Sequence, residues 1–293
     1  MKLKSANFKP YQDEEHEGAN VTEQKWVLDL DYMHNLAVDI KASRSEKFIR
    51  DGISYALQFY EIINFSFKYE RSFVRARVAE NGHGFNSTSE IYYPPRHLTG
   101  VGRINEEGNP FLYLSLTTDV ALAEIGAKEG DVVQVSAFEP KDKPVCVGII
   151  GEKYKASRGV GNFLPKESTE FLANLVKKLE KEDRKKAMAY LYPDMFFDEI
   201  ITNPQASQDD YIHSRILARL MFEKQKSLDG IMYHSVASDG GLNIALPCDK
   251  ADSLLGLAHT ILIKVKKAYS YGLFDIELLK KPKIILQDGT IIW

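Results

Sequence analysis

An arginine, a tyrosine and a glutamate stand close together in this chain, at Arg103, Tyr113 and Glu124. Arginine offers a planar fork of donors that suits a phosphate or pyrophosphate, tyrosine a face for a flat heteroaromatic ring, and glutamate an acceptor for a sugar hydroxyl. Together they describe a site for a nucleotide with a cleavable glycosidic bond. Each residue also has a plain structural reading: Arg103 in a surface ion pair, Tyr113 in the core, Glu124 on a solvated helix face. Three residues at open spacing form no strict motif, so residue types alone leave both readings open.

The surrounding residues say which elements must position them. Gly108, Asn109 and Pro110 form a turn, and Phe111 to Ser115 then reads as a short strand of aromatic and branched residues. Thr117, Thr118 and Asp119 supply N-cap chemistry for a helix running through Ala121 and Leu122 to Glu124. Arg103 falls on a turn, Tyr113 on a strand and Glu124 on a helix, three adjoining elements that can converge on one ligand.

Four further blocks surround this stretch. They are Phe73-Val74-Arg75-Ala76-Arg77, then Tyr93-Pro94-Pro95, then Asp229-Gly230-Ile231-Met232-Tyr233-His234-Ser235-Val236, and finally Gly240-Gly241-Leu242-Asn243-Ile244-Ala245-Leu246. With the run Gly102-Arg103-x-Asn105-x-x-Gly108-x-Pro110-x-x-Tyr113-Leu114-Ser115 and its Ala121-x-x-Glu124 helix, the order of blocks resembles that of the RES domain family, named for a characteristic Arg, Glu and Ser. The middle run is the specific part of the match. The resemblance implies an α+β fold akin to ADP-ribosyltransferases, with a mixed or antiparallel sheet core and flanking helices. It also implies an activity that degrades NAD+ by hydrolysis or phosphorolysis of the nicotinamide glycosidic bond. Bacterial members often serve as toxins, which implies an antitoxin protein as partner. By matching position, Arg75 and Arg103 would contact NAD+, with Arg77 competing for the role of Arg75. Tyr113 would be the aromatic, Glu124 the acidic residue near the reactive ribose, and Ser235 the family's serine. Two readings stand beside NAD+ cleavage: ADP-ribosyl transfer to a macromolecule, and a non-catalytic NAD-binding module. The chain departs from the common pattern in two places: a long lysine-rich stretch separates the Glu and Ser blocks, and His234 stands where proline is more usual.

The bond itself says what catalysis needs. Nicotinamide leaves as a neutral base from a pyridinium, so the transition state has oxocarbenium character and the leaving nitrogen needs no acid. A carboxylate that holds the ribose and faces the growing positive charge helps, as does a clamp on the pyrophosphate that orients the reacting carbon. Glu124 suits the first task and the two arginines the second. Ser235 could hydrogen-bond the ribose or order the attacking water. If phosphate is the acceptor, as co-substrate, the arginines also supply its cationic pocket.

Other chemistries have little support. The seven histidines form no HExxH or similar pair, so no metal site is expected. Gly100-Val101-Gly102 lacks the third glycine of a dinucleotide fingerprint and there is no Walker A sequence, so NAD+ would be a consumed substrate and no resident cofactor is expected. His234 and Ser235, as strand neighbours, would point to opposite faces and form no dyad. A formal charge of −3 argues against a dedicated nucleic-acid binder. Cys146 and Cys248, the two cysteines, lack CxxC spacing and read as reduced core residues. The amino terminus lacks the apolar core of a signal peptide, and no run approaches the roughly 20 apolar residues that span a membrane. A cytoplasmic protein without membrane contact is the expectation, with a homo-oligomer left open.

A length of 293 residues with 44% hydrophobic content accommodates one main domain plus an accessory region. The division expected is 1–67, a polar arm over about the first 24 residues and a helical accessory region opening near Trp26, then 68–293, the catalytic domain. That domain carries a lysine-rich helical insert around 155–205. Apolar residues at three- and four-residue steps from Val27 to Ile40 and from Phe48 to Ile63 suit amphipathic helices. Val132 to Phe138 and Val145 to Ile150 read as strands backing the pocket, residues 164–190 as one helix with a solvated face, and Asp209 to Lys226 as an amphipathic helix beneath the site. Lys264 to Tyr269 and Phe274 to Leu278 suggest edge strands, and Asp288-Gly289 signals a closing hairpin.

Overall fold

A computed structural model describes residues 28–67, 72–79, 82–160 and 163–293. The expected polar arm and Trp26 lie outside the described residues. Two capped helices come first. Asp29 accepts from the backbone N–H groups of Asp31 and Tyr32 to start α1 (Leu30–Ala42), and Ser45 accepts from Phe48 to start α2 (Glu46–Gln58). Each buries one stripe: Met33, Leu36, Ala37 and Ile40 on α1, and Ile49, Ile53, Ala56 and Leu57 on α2.

The strands that follow, β1 (Ile63–Phe67), β2 (Phe73–Val78), β3 (Phe111–Ser115), β4 (Val132–Pro140), β5 (Val145–Ile149), β6 (Gly230–His234), β7 (Leu242–Pro247), β8 (Leu255–Tyr269) and β9 (Leu273–Lys280), form one mixed sheet. Its order is β1-β5-β6-β7-β3-β2-β4-β8-β9, and only β5 with β6 runs parallel. The helices between and after them are α3 (Thr118–Glu124), α4 (Glu152–Ser157), α5 (Lys166–Glu182), α6 (Arg184–Ile201), α7 (Ile212–Lys224) and α8 (Cys248–Leu254). β10 (Ile284–Ile285) and β11 (Ile291–Ile292) close the chain as the expected hairpin. The class is α+β with a helical N-terminal region. Among the described residues, no helix is long and apolar enough to cross a membrane.

Three apolar clusters hold these layers. One joins α1, α2, α6 and α7 to a face of β6 and β7 through Ile40, Ile53, Phe197, Leu217, Ile231 and Ala245. A second lies on the other face, between Leu112, Leu114, Met232 and Ile244 and the helix residues Ala156, Leu172 and Ala251. The third packs Ala121 and Leu122 of α3 on Ala76, Val133, Val135 and Ile263. Between β2 and β3 the ladder is reduced to a single pair, Val74 with Ser115. The sheet therefore has a seam, and α3 packs against the strands on both sides of it.

Several segments differ from the sequence reading. Residues 164–190 are not one helix. Asp183 takes an extended conformation (φ −163°), ending α5 and capping α6 through its carboxylate and the N–H of Lys185, so the charged run straddles a break. Ile63, grouped with the helical residues, instead opens β1, which pairs with β5 inside the same sheet. Lys264 to Tyr269 is no edge. It is the end of a 15-residue strand lying between β4 and β9, and Leu262 and Ile263, neighbours in sequence, are both buried, which removes the two-residue alternation that marks a half-wet strand. β9 is the edge strand.

Asp194, wholly buried on α6, ties the insert to the rest. It accepts from the Tyr60 hydroxyl (2.8 Å) and from the N–H groups of Gly151 and Tyr154 (3.2 Å each). Beside it Lys153 is sandwiched between the rings of Tyr60 and Tyr190, its pKa pushed by burial down to about 8 against the pull of Asp194. Asp194→Ala strands three donors in the interior. The expected loss is about 3 kcal/mol of unfolding free energy in urea titration, and a loss below about 1 kcal/mol would show that these bonds contribute little.

Candidate active site

Glu124 is the last residue of α3, a helix begun where the Thr117 side chain accepts from the N–H of Val120 (3.3 Å). Its carboxylate is exposed, yet one oxygen is tightly held. Oε1 accepts from the Ser235 hydroxyl at 2.6 Å and from the Asn243 side-chain amide at 2.5 Å. Oε2 has no hydrogen bond among the described residues, so half of the carboxylate is fixed and half is free to meet a ligand.

The donors are fixed in turn. Ser235 follows β6, and its oxygen accepts from the N–H groups of Ala237 (3.1 Å) and Ser238 (3.0 Å) while its proton goes to Glu124. With one proton donated and two accepted, the hydroxyl is saturated. Asn243 sits on β7 in register with Ser115 of β3, whose hydroxyl donates to its carbonyl oxygen at 2.8 Å. That bond fixes the amide orientation, so that nitrogen faces Glu124. A close approach makes this possible: a Cβ on Gly241 would lie 2.8 Å from Val120 of α3 and 3.1 Å from the Ser235 Cβ. Only glycine lets the Ser235 loop reach the helix.

Arg75 lies at the seam. Its Nη1 donates to the Tyr113 carbonyl at 3.1 Å, and its buried Nε has no partner among the described residues. Burial, with Arg77 adding repulsion, lowers its pKa to about 10. Arg77 is turned outward, donating to the Glu90 carbonyl and lying 4.5 Å from the Phe85 ring centre. Geometry thus separates the two arginines: Arg75 reaches toward Tyr113 and Arg77 does not.

Arg103 is anchored by Nη1 to the carbonyls of Ile201 (2.8 Å) and Asn203 (2.9 Å), where α6 ends. Its Nε and Nη2 have no hydrogen bond among the described residues. The Tyr113 hydroxyl donates to Asn105 (2.8 Å) and accepts from the N–H of Ile104 (3.0 Å), and burial raises its pKa. A Cβ on Gly102 would lie 3.0 Å from that hydroxyl. Tyr113 therefore shapes the Arg103 loop from beneath. Glu106 of the same loop takes Arg215 and Arg219 of α7, and Arg219 also reaches Glu46 of α2.

Tyr233 on β6 joins the two ends of the site. Its phenol is raised well above the ordinary range by burial, with Tyr113 and Glu124 adding to the effect and Arg103 opposing it. Tyr211, 5.4 Å from ring centre to the Arg103 guanidinium carbon, belongs to the same neighbourhood. The five residues read from the sequence are therefore brought to one region. Asn243, Ser115, Tyr211 and Tyr233 were not assigned a role there. Asn243 had one available signal, a lone amide in the apolar run Leu242 to Leu246. Among the described residues, no group of three or more His, Cys, Asp and Glu is disposed to hold a metal.

A family model of the RES domain matches residues 74–260, and the chain belongs to that family. RES domains are linked in general to NAD+-related toxin function. A comparison with curated proteins gave no match.

His234, next to Ser235 but turned to the opposite side, sits in a cluster of four ionisable groups. Its Nε2 is 3.4 Å from Glu152 and its Nδ1 3.5 Å from Asp198, while Lys155 lies 2.8 Å from both ring nitrogens. Burial alone would lower its pKa, but hydrogen bonds to Asp198 and Glu152 outweigh burial and the repulsion of Lys155, and the net shift is upward from 6.5. A raised folded pKa contributes stability that is complete below the unfolded value and fades as pH rises through the folded one. In urea titrations, the stability gap between the wild type and His234→Gln should therefore be constant below about pH 6 and shrink above it. A gap that does not change with pH would contradict this placement.

Proposed function

We propose that this protein degrades NAD+ by cleaving the nicotinamide N-glycosidic bond, with water or inorganic phosphate as acceptor, and that it acts as a toxin restrained by an antitoxin protein. The observation that carries the reading is the half-fixed Glu124 carboxylate: Oε1 locked by Ser235 and Asn243, Oε2 unoccupied, on an exposed helix end. In such a reaction the C1′–N bond breaks, its electron pair leaves with nicotinamide, and positive charge grows on the ribose. Oε2 lies open to accept from a ribose hydroxyl and to face that charge, and its fixed partner oxygen spares the reaction the cost of reorienting the carboxylate.

The remaining residues divide the work. Arg75 and Arg103 bind the pyrophosphate through their unpaired guanidinium nitrogens and orient the reacting carbon. Ser235, its hydroxyl saturated, is a positioning residue for Glu124, and Asn243 is another. Tyr113 holds the Arg103 loop. Nicotinamide leaves as a neutral base, which accords with the lack of any acid role among these residues.

Incubation of purified protein with NAD+, with and without phosphate, tests the reading. Nicotinamide with ADP-ribose marks hydrolysis, and phosphate-dependent release with a phosphorylated ADP-ribose marks phosphorolysis. Glu124→Ala should lower the rate by about 10³ or more without unfolding the protein, and equal rates would overturn the site. Asn243→Ala should lower kcat by about 10² with KM little changed, because it loosens Glu124 and touches no substrate. A change confined to KM would instead make Asn243 a binding residue.

A further inference from the structure

Asp210 and Tyr211 both adopt left-handed backbone conformations, with φ 50° and 55°. Glycine reaches that region at no cost, whereas each non-glycine residue there costs about 1 kcal/mol or more and is retained where the surroundings enforce it. Two in succession, neither of them glycine, form the turn into α7. The turn is enforced by the Tyr211 N–H donating to the Ala206 carbonyl (2.8 Å) and by Arg215 Nε donating to the Asp210 carbonyl (3.1 Å). Its result is to set the half-buried Tyr211 ring beside the Arg103 guanidinium. The hydroxyl of Tyr211 has no hydrogen bond among the described residues.

Space opens at the same place. A cleft of about 340 Å³ is lined by Asn203, Pro204, Ala206, Tyr211 and His213, and Arg103 holds the Asn203 carbonyl at its edge. The two tyrosines near Arg103 therefore differ. Tyr113 has its hydroxyl consumed by Asn105 and Ile104 and its ring packed on the apolar cluster, while Tyr211 keeps a free hydroxyl and borders open space.

We infer that Tyr211 contacts the adenine ring of NAD+, an inference that rests on the proposed function above. The choice of base follows from charge. Nicotinamide in NAD+ is a cation and is disfavoured beside a guanidinium, whereas adenine is neutral and stacks on an aromatic face next to one. Glu124 and Arg103 then define the direction of the dinucleotide, with the nicotinamide ribose at the carboxylate, the pyrophosphate at the arginine and the adenine beyond it.

The test uses Tyr211→Asn, since asparagine tolerates the left-handed backbone but has no ring. NAD+ cleavage is followed, together with competition by ADP and by nicotinamide mononucleotide and the urea stability of each variant. Tyr211→Asn should raise the KM for NAD+ and the inhibition constant of ADP by roughly tenfold or more, leave that of nicotinamide mononucleotide unmoved, and cost no stability, while Tyr211→Phe restores KM. An unmoved KM, an equal loss for nicotinamide mononucleotide, or a stability loss in Tyr211→Asn with unchanged ADP competition would overturn the inference. Wild-type protein that neither cleaves nor binds NAD+, while Tyr211→Asn folds normally, would overturn the parent reading and this one with it.

Discussion

Two donors on one carboxylate oxygen govern the architecture of this site. To bring Ser235 and Asn243 to Glu124 Oε1, the loop after β6 must touch α3, β7 must lie beside β3, and α3 must extend across the seam. Each requirement has a local cause. Gly241 permits the loop contact, the Ser115 hydroxyl orients the Asn243 amide, and Thr117 fixes where α3 begins. A bond to a charged acceptor is stronger than a neutral one, and Glu124 receives two. None of these partners is redundant, because removing one leaves another polar group without its mate.

The arginine end depends on a different part of the molecule. Arg103 hangs on carbonyls at the end of α6, and its loop is gripped through Glu106 by α7 and, through Arg219, indirectly by α2. The N-terminal helices and the lysine-rich insert are thereby joined to the site. The outer face of α5 is solvated, but α6 carries Asp194 and Asp198 inward and buries Phe196, Phe197, Ile200 and Ile201. Charged composition in this segment describes one helix face and conceals a core element behind it.

What could be read from the chain follows from range. The strand from Phe111 to Ser115 and the capped helix ending at Glu124 are local patterns, and both form as the spacing indicates. Ser235 was legible through its place in a run of blocks. Asn243 was not, because its role exists only once β7 pairs with β3 and brings it 128 positions in sequence from Ser115 into contact. Tyr211 was hidden for another reason: a left-handed backbone at two non-glycine residues has no composition signal, as the glycine that would announce such a turn is missing. The break at Asp183 was masked by charge that continues through both helices.

The single Val74–Ser115 pair makes the sheet two plates joined along one line, five strands on one side and four on the other. A ladder of many pairs resists shear, and a one-pair joint resists little. Ser115 belongs to that joint and also orients Asn243, so the alignment of the Glu124 carboxylate and the stiffness of the joint are linked quantities. A molecule that bridges Arg75 on one plate to Glu124 above the seam works as a splint. Its occupancy would be visible far from itself, as slower amide exchange along β2 and β3.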